Sequence, residues 1–197
     1  MKHIALACIA SFLMALVAGC SPVLKAPIGN EGDPKAADQL DHGYAILIDL
    51  LSDEAKVSEI LAIKSCSAET ADILKAISKA AKDGMARIES LSSAKPAINP
   101  ESTGLPLLET DTRNRIANQQ TVLLLMAMGS FEVRVLLTQD KACGYASALC
   151  ESLAVSDPNK ERSQEMKDLA STFADLGTRV YQRFALVKSK SKAKDGS

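Results

Sequence analysis

Tryptophan is absent from this 197-residue chain, aromatic residues make up 4% of it, and histidine occurs twice. One histidine, His3, stands in an N-terminal apolar stretch, which leaves His42 alone and excludes a histidine cage for a metal ion. The paired Glu-x-x-His elements of di-iron four-helix proteins are missing too. So are a Gly-rich phosphate loop, a Gly-x-Ser-x-Gly elbow, Cys-x-x-Cys and Cys-x-x-Cys-His. No cofactor, metal or catalytic constellation is therefore expected, and the chain reads as a non-enzyme. Strong charge is also lacking: 23 Lys and Arg face 24 Asp and Glu, a formal balance of −1. Chains that hold nucleic acid show a basic face or stripe. The only basic cluster here is at the C-terminal end, so no nucleic-acid partner is expected. After residue 22 no apolar run is long enough to span a bilayer.

What is present begins at the N-terminus. Met1-Lys2-His3 precedes an apolar run from Ile4 to Val17 and then Ala18-Gly19-Cys20. A short cationic region, an apolar core of about 7 to 15 residues and small residues before a cleavage point make an export signal. The order Leu16-Val17-Ala18-Gly19-Cys20 resembles the lipobox of bacterial lipoproteins cut by signal peptidase II, with Val17 where Leu is more usual. The resemblance covers about twenty residues and implies residues 1–19 as a lipoprotein signal peptide cleaved between Gly19 and Cys20. It also implies lipidation at Cys20, whose acyl chains, palmitate among them, hold the chain to a membrane at about 0.8 kcal/mol per buried methylene. Ser21 follows, where Asp favours retention in the inner membrane, so the expected address is the periplasmic face of the outer membrane.

Removing 19 of 197 residues leaves 178, enough for one domain that buries roughly 70% of its unfolded surface. Ala, Leu, Ile, Lys, Glu and Ser dominate, a composition that suits helices. Residues 20–35, with Pro22, Pro27, Pro34, Gly29 and Gly32, read as the acylated cysteine and a flexible tether. The expected fold over 36–187 is all-α, a single bundle of four to five helices with a long crossover loop.

A first helix is predicted from about Lys35 to Lys64, with Leu40, Tyr44, Leu47, Leu51, Ala55 and Ile60 at three-and-four spacing. Ser67 then caps a second, about Ala68 to Ser92, that buries Leu74, Ile77, Ala81, Gly84, Ile88 and Leu91. Pro96, Pro100, Gly104 and Pro106 mark the crossover between Ser93 and Pro106. The third helix, about Leu107 to Thr138, carries no charge from Thr121 to Phe131, and a helix apolar all round sits in the middle of a fold. A kink or break is expected near 139–144, before a piece rich in small residues that permits close helix contact. Ser156-Asp157-Pro158-Asn159 starts a last helix to about Val187, with a stripe from Met166 through Phe173 and Val180 to Phe184. Residues 188–197 read as a basic disordered tail, or as a device that attracts phosphate or anionic glycan.

Cys66, Cys143 and Cys150 remain after the signal and Cys20 are set aside. Small buried thiols and one structural disulfide to Cys66 are both open, because seven residues of helix separate Cys143 from Cys150 by about 10 Å. Asp41-His42 reads as a helix-end polar pair. Glu109 with Arg113 and Asp111 with Arg115 are i,i+4 helix links worth a few tenths of a kcal/mol, whereas Glu132 and Arg134 must be paired if buried. The function expected is a membrane-anchored envelope lipoprotein acting as a structural or adaptor protein with an envelope protein partner. The alternative is a bundle that encloses a small hydrophobic ligand under its crossover loop.

Overall fold

The computed structural model describes residues 34–100, 107–126 and 131–195. The expected signal peptide, Cys20, the tether up to residue 33, residues 101–106 of the crossover and the last two residues lie outside them. The described residues are all-α: α1 (Pro34–Glu54), a 3-10 helix (Val57–Ala62), α2 (Ala68–Leu91), α3 (Leu107–Met126), α4 (Phe131–Ser156) and α5 (Lys160–Asp195).

Helix α1 starts on Pro34, whose fixed φ and missing N–H suit a first helical position. It stops at Glu54, ten residues short of the expected end. The Ser78 hydroxyl on α2 donates to the Ala55 carbonyl, the acceptor that a continuing α-helix would offer to Glu59. Glu59 N–H turns instead to the Lys56 carbonyl at 2.9 Å. The chain tightens into the 3-10 helix and buries Val57 and Ile60. Ser67 caps α2 as its sequence requires, accepting the Thr70 N–H at 3.3 Å.

Side-chain neighbours fix the directions. Ala55 meets Ser78 while Leu51 lies near Gly84, so α1 and α2 are antiparallel. Gly43 faces Leu153, and Tyr44 reaches Asp157 just beyond α4, whereas Glu54 meets Gln139; α1 therefore opposes α4. Ser147 bonds the Ala170 carbonyl and Cys143 lies against Gly177, so α4 opposes α5, and the Gly84–Leu169 contact with the Arg87–Glu165 pair makes α2 oppose α5. Four helices thus close a bundle in the order α1, α2, α5, α4, around Tyr44, Leu47, Leu51, Leu74, Ile77, Leu136 and Phe173. Because α2 and α4 run the same way, the chain between Leu91 and Phe131 crosses the length of the bundle.

Here the helix expected at the centre is corrected. α3 belongs to this crossover, with α4 as its main neighbour. Leu124 is buried, but Val122 and Met126 are 55% and 75% exposed. The central place goes to α4, which runs unbroken through 139–144, where a break was expected. Ala142, Cys143, Ala146, Ser147 and Cys150 are buried and small, so neighbouring helices come close along it. Helix α5 continues past Val187 to Asp195, so the segment expected to be a disordered tail has a helical backbone to that residue. No proline or glycine interrupts residues 178–195, and Lys and Ala are good helix formers.

Candidate functional site

Two polar clusters tie α5 to the rest of the bundle, one at each pole. At the first, Arg162 is 1% exposed and its Asp157 partner 0%. Its Nε donates to Asp157 Oδ2 at 2.6 Å and its Nη2 to Oδ1 at 3.0 Å, a bidentate pair. The remaining donors grip the crossover: Nη1 reaches the Leu91 and Ala94 carbonyls at 3.3 and 2.7 Å, and Nη2 the Pro96 carbonyl at 2.6 Å. Tyr44 donates its hydroxyl to Asp157 Oδ2 at 2.7 Å, and burial together with that carboxylate pushes its phenol far above the ordinary range. Asn159 caps α5 by accepting the Arg162 N–H at 2.9 Å, and donates its amide to the Lys95 carbonyl at 2.8 Å.

Asp41 belongs to the same pole. Its Oδ1 accepts the Asn99 N–H at 2.8 Å, and His42 Nδ1 donates to the Asp38 carbonyl at 2.8 Å. The expected polar pair is thus split, Asp41 toward the loop and His42 toward its own helix. With Ile98 buried as well, the described half of the crossover is clamped to the bundle.

At the opposite pole the starts of α2 and α4 meet α5. Glu132 Oε1 accepts from Ser67 Oγ at 2.5 Å, from Thr70 Oγ1, and from Arg183 Nη2 and Nε at 3.1 and 3.3 Å. Arg183 also donates to Ser67 Oγ at 2.6 Å. Partial burial opposes the charge on Glu132, but the hydrogen bonds from Ser67, Thr70 and Arg183 outweigh it and hold the carboxyl below its usual range. Glu132 is half-buried and is paired, by Arg183 rather than by its sequence neighbour Arg134, which is exposed. Asp111 and Arg115 form the expected i,i+4 link at 2.8 Å; the side chains of Glu109 and Arg113 are not among those described.

Between the poles, α2 and α5 diverge into an open surface groove of about 420 Å³. Ala76, Ala80, Leu169 and Leu176 contribute its apolar lining, and the Arg87–Glu165 pair, at 2.9 Å, stands on its rim. On the other side of the bundle Glu54 is enclosed beside Gln139, and burial pushes its carboxyl up to about 8. Glu54 Oε2 and Gln139 Oε1 are both buried without a partner. Burial away from water is the physical reason for the shift, and Gln139 only partly offsets it.

The three cysteines among the described residues are free, Cys143 and Cys150 buried and Cys66 half-buried, so the disulfide alternative among them falls. Burial pushes the Cys150 thiol up to about 12 and the Cys143 thiol higher still. Among the described residues no group of three or more His, Cys, Asp or Glu is placed to hold a metal ion, and no helix is long and apolar enough to cross a membrane. Sequence reasoning passed over Arg162, Arg183, Glu54 and Gln139; only the Ser156-Asp157-Pro158-Asn159 turn pointed near one of them. No protein-family model, curated protein or solved structure matches the chain.

Proposed function

We propose that this chain is an envelope lipoprotein, held to the periplasmic face of the outer membrane by acyl chains on Cys20, whose helical bundle serves as a non-enzymatic adaptor for another envelope protein. The lipobox-like residues 16–20 support the anchor. The observation that carries the adaptor reading is α3, a helix without charge from Thr121 to Met126 that turns Val122 and Met126 outward beside the buried Leu124. An apolar strip left open on a helix that other helices do not enclose is the kind of surface a protein partner covers. The buried ionisable groups serve internal ties: Arg162 and Asp157 saturate each other and the crossover carbonyls, and Glu132 is held by Arg183. The alternative, a small hydrophobic ligand under the crossover, draws less support, since Arg162 and Ile98 fix the described part of that loop against the bundle.

The test places a photo-crosslinking amino acid at residue 122 or 126 of the full chain in intact cells and identifies adducts by mass spectrometry, with Cys20→Ser as the unanchored control. One envelope protein, recovered in stoichiometric amount and reduced with the control, supports the adaptor. Recovery of the chain alone refutes it and favours the ligand-binding bundle.

A further inference from the structure

Helix α3 buries Leu124 and turns a regularly patterned side outward. Leu108, Arg115, Gln119, Val122 and Met126 are exposed and Thr112 is half-buried. From Leu108 to Met126 these six are spaced by four, three, four, three and four residues. That alternation lines one seam of a two-stranded coiled coil. On a helix of about 3.6 residues per turn the six fall within about 80° of arc, and Leu124 stands about 160° away from their middle. The seam therefore faces away from the bundle along about 27 Å of helix, at about 1.5 Å per residue. Leu108 and Met126, which end it, are 79% and 75% exposed.

This pattern is its own complement when reversed. Laid antiparallel on a second copy, about a two-fold axis level with residue 117, Leu108 meets Met126 of the second copy, Thr112 meets Val122, and Arg115 meets Gln119. The same three contacts recur on the other side of the axis. Apolar groups thus close both ends, while the middle sets a guanidinium against an amide. Arg115 Nε bonds Asp111 at 2.8 Å, and a guanidinium carries further N–H donors for an amide carbonyl. Parallel pairing would instead stack Arg115 on Arg115. A two-fold contact of this kind is isologous and closes on itself, so it makes a pair and not a filament. Its size sets its strength. A strip about 27 Å long and about 10 Å wide covers about 300 Å² on each copy, far below the roughly 1,200 Å² in total that stable complexes bury.

We propose that α3 pairs with α3 of a second copy of this chain, antiparallel and in that register, as a weak self-pair that covers the strip until another protein takes it. The pairing stands on α3 alone, whereas its role as a cover rests on the adaptor reading above: the envelope partner has to displace the second copy. A contact this small permits that exchange. Anchoring both copies on one membrane would favour the pair by raising their effective concentration.

The test traps the pair with a disulfide. Full chains carrying Leu108→Cys are mixed with full chains carrying Met126→Cys in non-ionic detergent under a mild oxidant, and the linked peptides are identified by mass spectrometry. Circular dichroism melting confirms that each variant is folded. The expected result is linkage of position 108 to position 126 between chains, about tenfold or more above linkage of either position to itself, because like positions stand about 27 Å apart in this register. Adding Gln119→Lys to both chains sets a like charge against Arg115 twice and should slow the linkage about fivefold, and Gln119→Glu should speed it. Absence of linkage, like positions linking as readily as unlike ones, or rates indifferent to the charge at 119 overturns the proposal. Photo-crosslinking at residue 122 in cells keeps the two readings apart. An envelope-protein adduct there without linkage of 108 to 126 sinks the self-pair and leaves the adaptor standing, while that linkage without an envelope-protein adduct does the reverse.

Discussion

Glu54 is the point at which this fold is most exposed to pH. Burial pushes its carboxyl up to about 8 from an ordinary 4.5, aided by the neighbouring charge of Asp53 and only partly offset by the Gln139 amide. Cys143 faces it from α4, and its thiol is raised in part by the Glu54 charge. Between pH 4.5 and 8 the native state keeps a proton that the unfolded chain has released. Stability therefore falls as pH rises through that window, by up to about 1.4 kcal/mol per pH unit. Above the folded value both states are ionised and the loss levels off. The full swing is of order 3 to 5 kcal/mol, a large part of the roughly 5 to 15 kcal/mol that keeps a domain folded.

Thermal unfolding followed by circular dichroism between pH 5 and 8 reads this directly. At about 2 to 4 °C per kcal/mol for a domain of this size, the wild-type Tm should fall by about 10 °C across the range. Glu54→Gln keeps the shape, supplies an uncharged donor to Gln139 Oε1 and should flatten the curve. The other shifted carboxyl, Glu132, works on the opposite side: its lowered value gives stability that is lost only as pH falls below 4.5. It leaves the chosen window clear. Parallel slopes for wild type and Glu54→Gln between pH 5 and 8 would refute the reasoning, because among the described residues no other carboxyl is raised into that window by burial.

The remaining predictions concern packing and exposure. Arg162→Met strands the Asp157 carboxylate at 0% side-chain exposure, so urea unfolding should show a loss of about 3 to 5 kcal/mol. Two glycines should respond with opposite sign in the same assay. A Cβ on Gly144 meets nothing within 4 Å, so Gly144→Ala should gain about 0.5 to 1 kcal/mol; a Cβ on Gly43 comes within 2.7 Å of Leu153 Cδ2, so Gly43→Ala should lose about 1 kcal/mol once overpacking offsets the helix gain. Thiol labelling of the native protein should modify Cys66 well before Cys143 and Cys150, which need unfolding to react; simultaneous labelling of all three would contradict the burial of α4.

Local rules recovered the elements they govern. The Ser67 cap, the buried stripe Leu74-Ile77-Ala81-Ile88 and the Asp157-Pro158-Asn159 turn are short-range matters of hydrogen bonding and period, and each lies where its residues put it. The end of α1 is different. Its apolar spacing continues to Lys64, and the helix stops early because Ser78, more than twenty residues away, takes the Ala55 carbonyl. The third helix failed for a related reason. An uncharged surface from Thr121 to Met126 says that the helix needs cover, but it cannot say what supplies it. Small residues spaced along α4 carried the better signal for the centre, since close backbone approach from several sides needs side chains that leave room.

Buried charge was the least legible feature, and it bears most on how the bundle closes. Arg162 in the sequence is one more polar residue on an amphipathic helix, with Glu165 three positions on as a possible i,i+3 neighbour. In the fold it turns inward, where three carbonyls converge: Leu91, which also accepts the Ala94 N–H at 3.1 Å, and Ala94 and Pro96 of the crossover. A buried carbonyl without a donor costs about 1 to 3 kcal/mol, and a guanidinium offers five donors in a fixed fork. Asp157 then balances its charge, and Tyr44 fills a remaining lone pair of that carboxylate. Each group is explained by the unsatisfied needs of the one before it, and the chain of need starts with a crossover that must be held down. A bundle that commits its deepest arginine to closing its own loop has its chemistry turned inward at that pole, which leaves the open strip of α3 as the surface where a partner is to be sought.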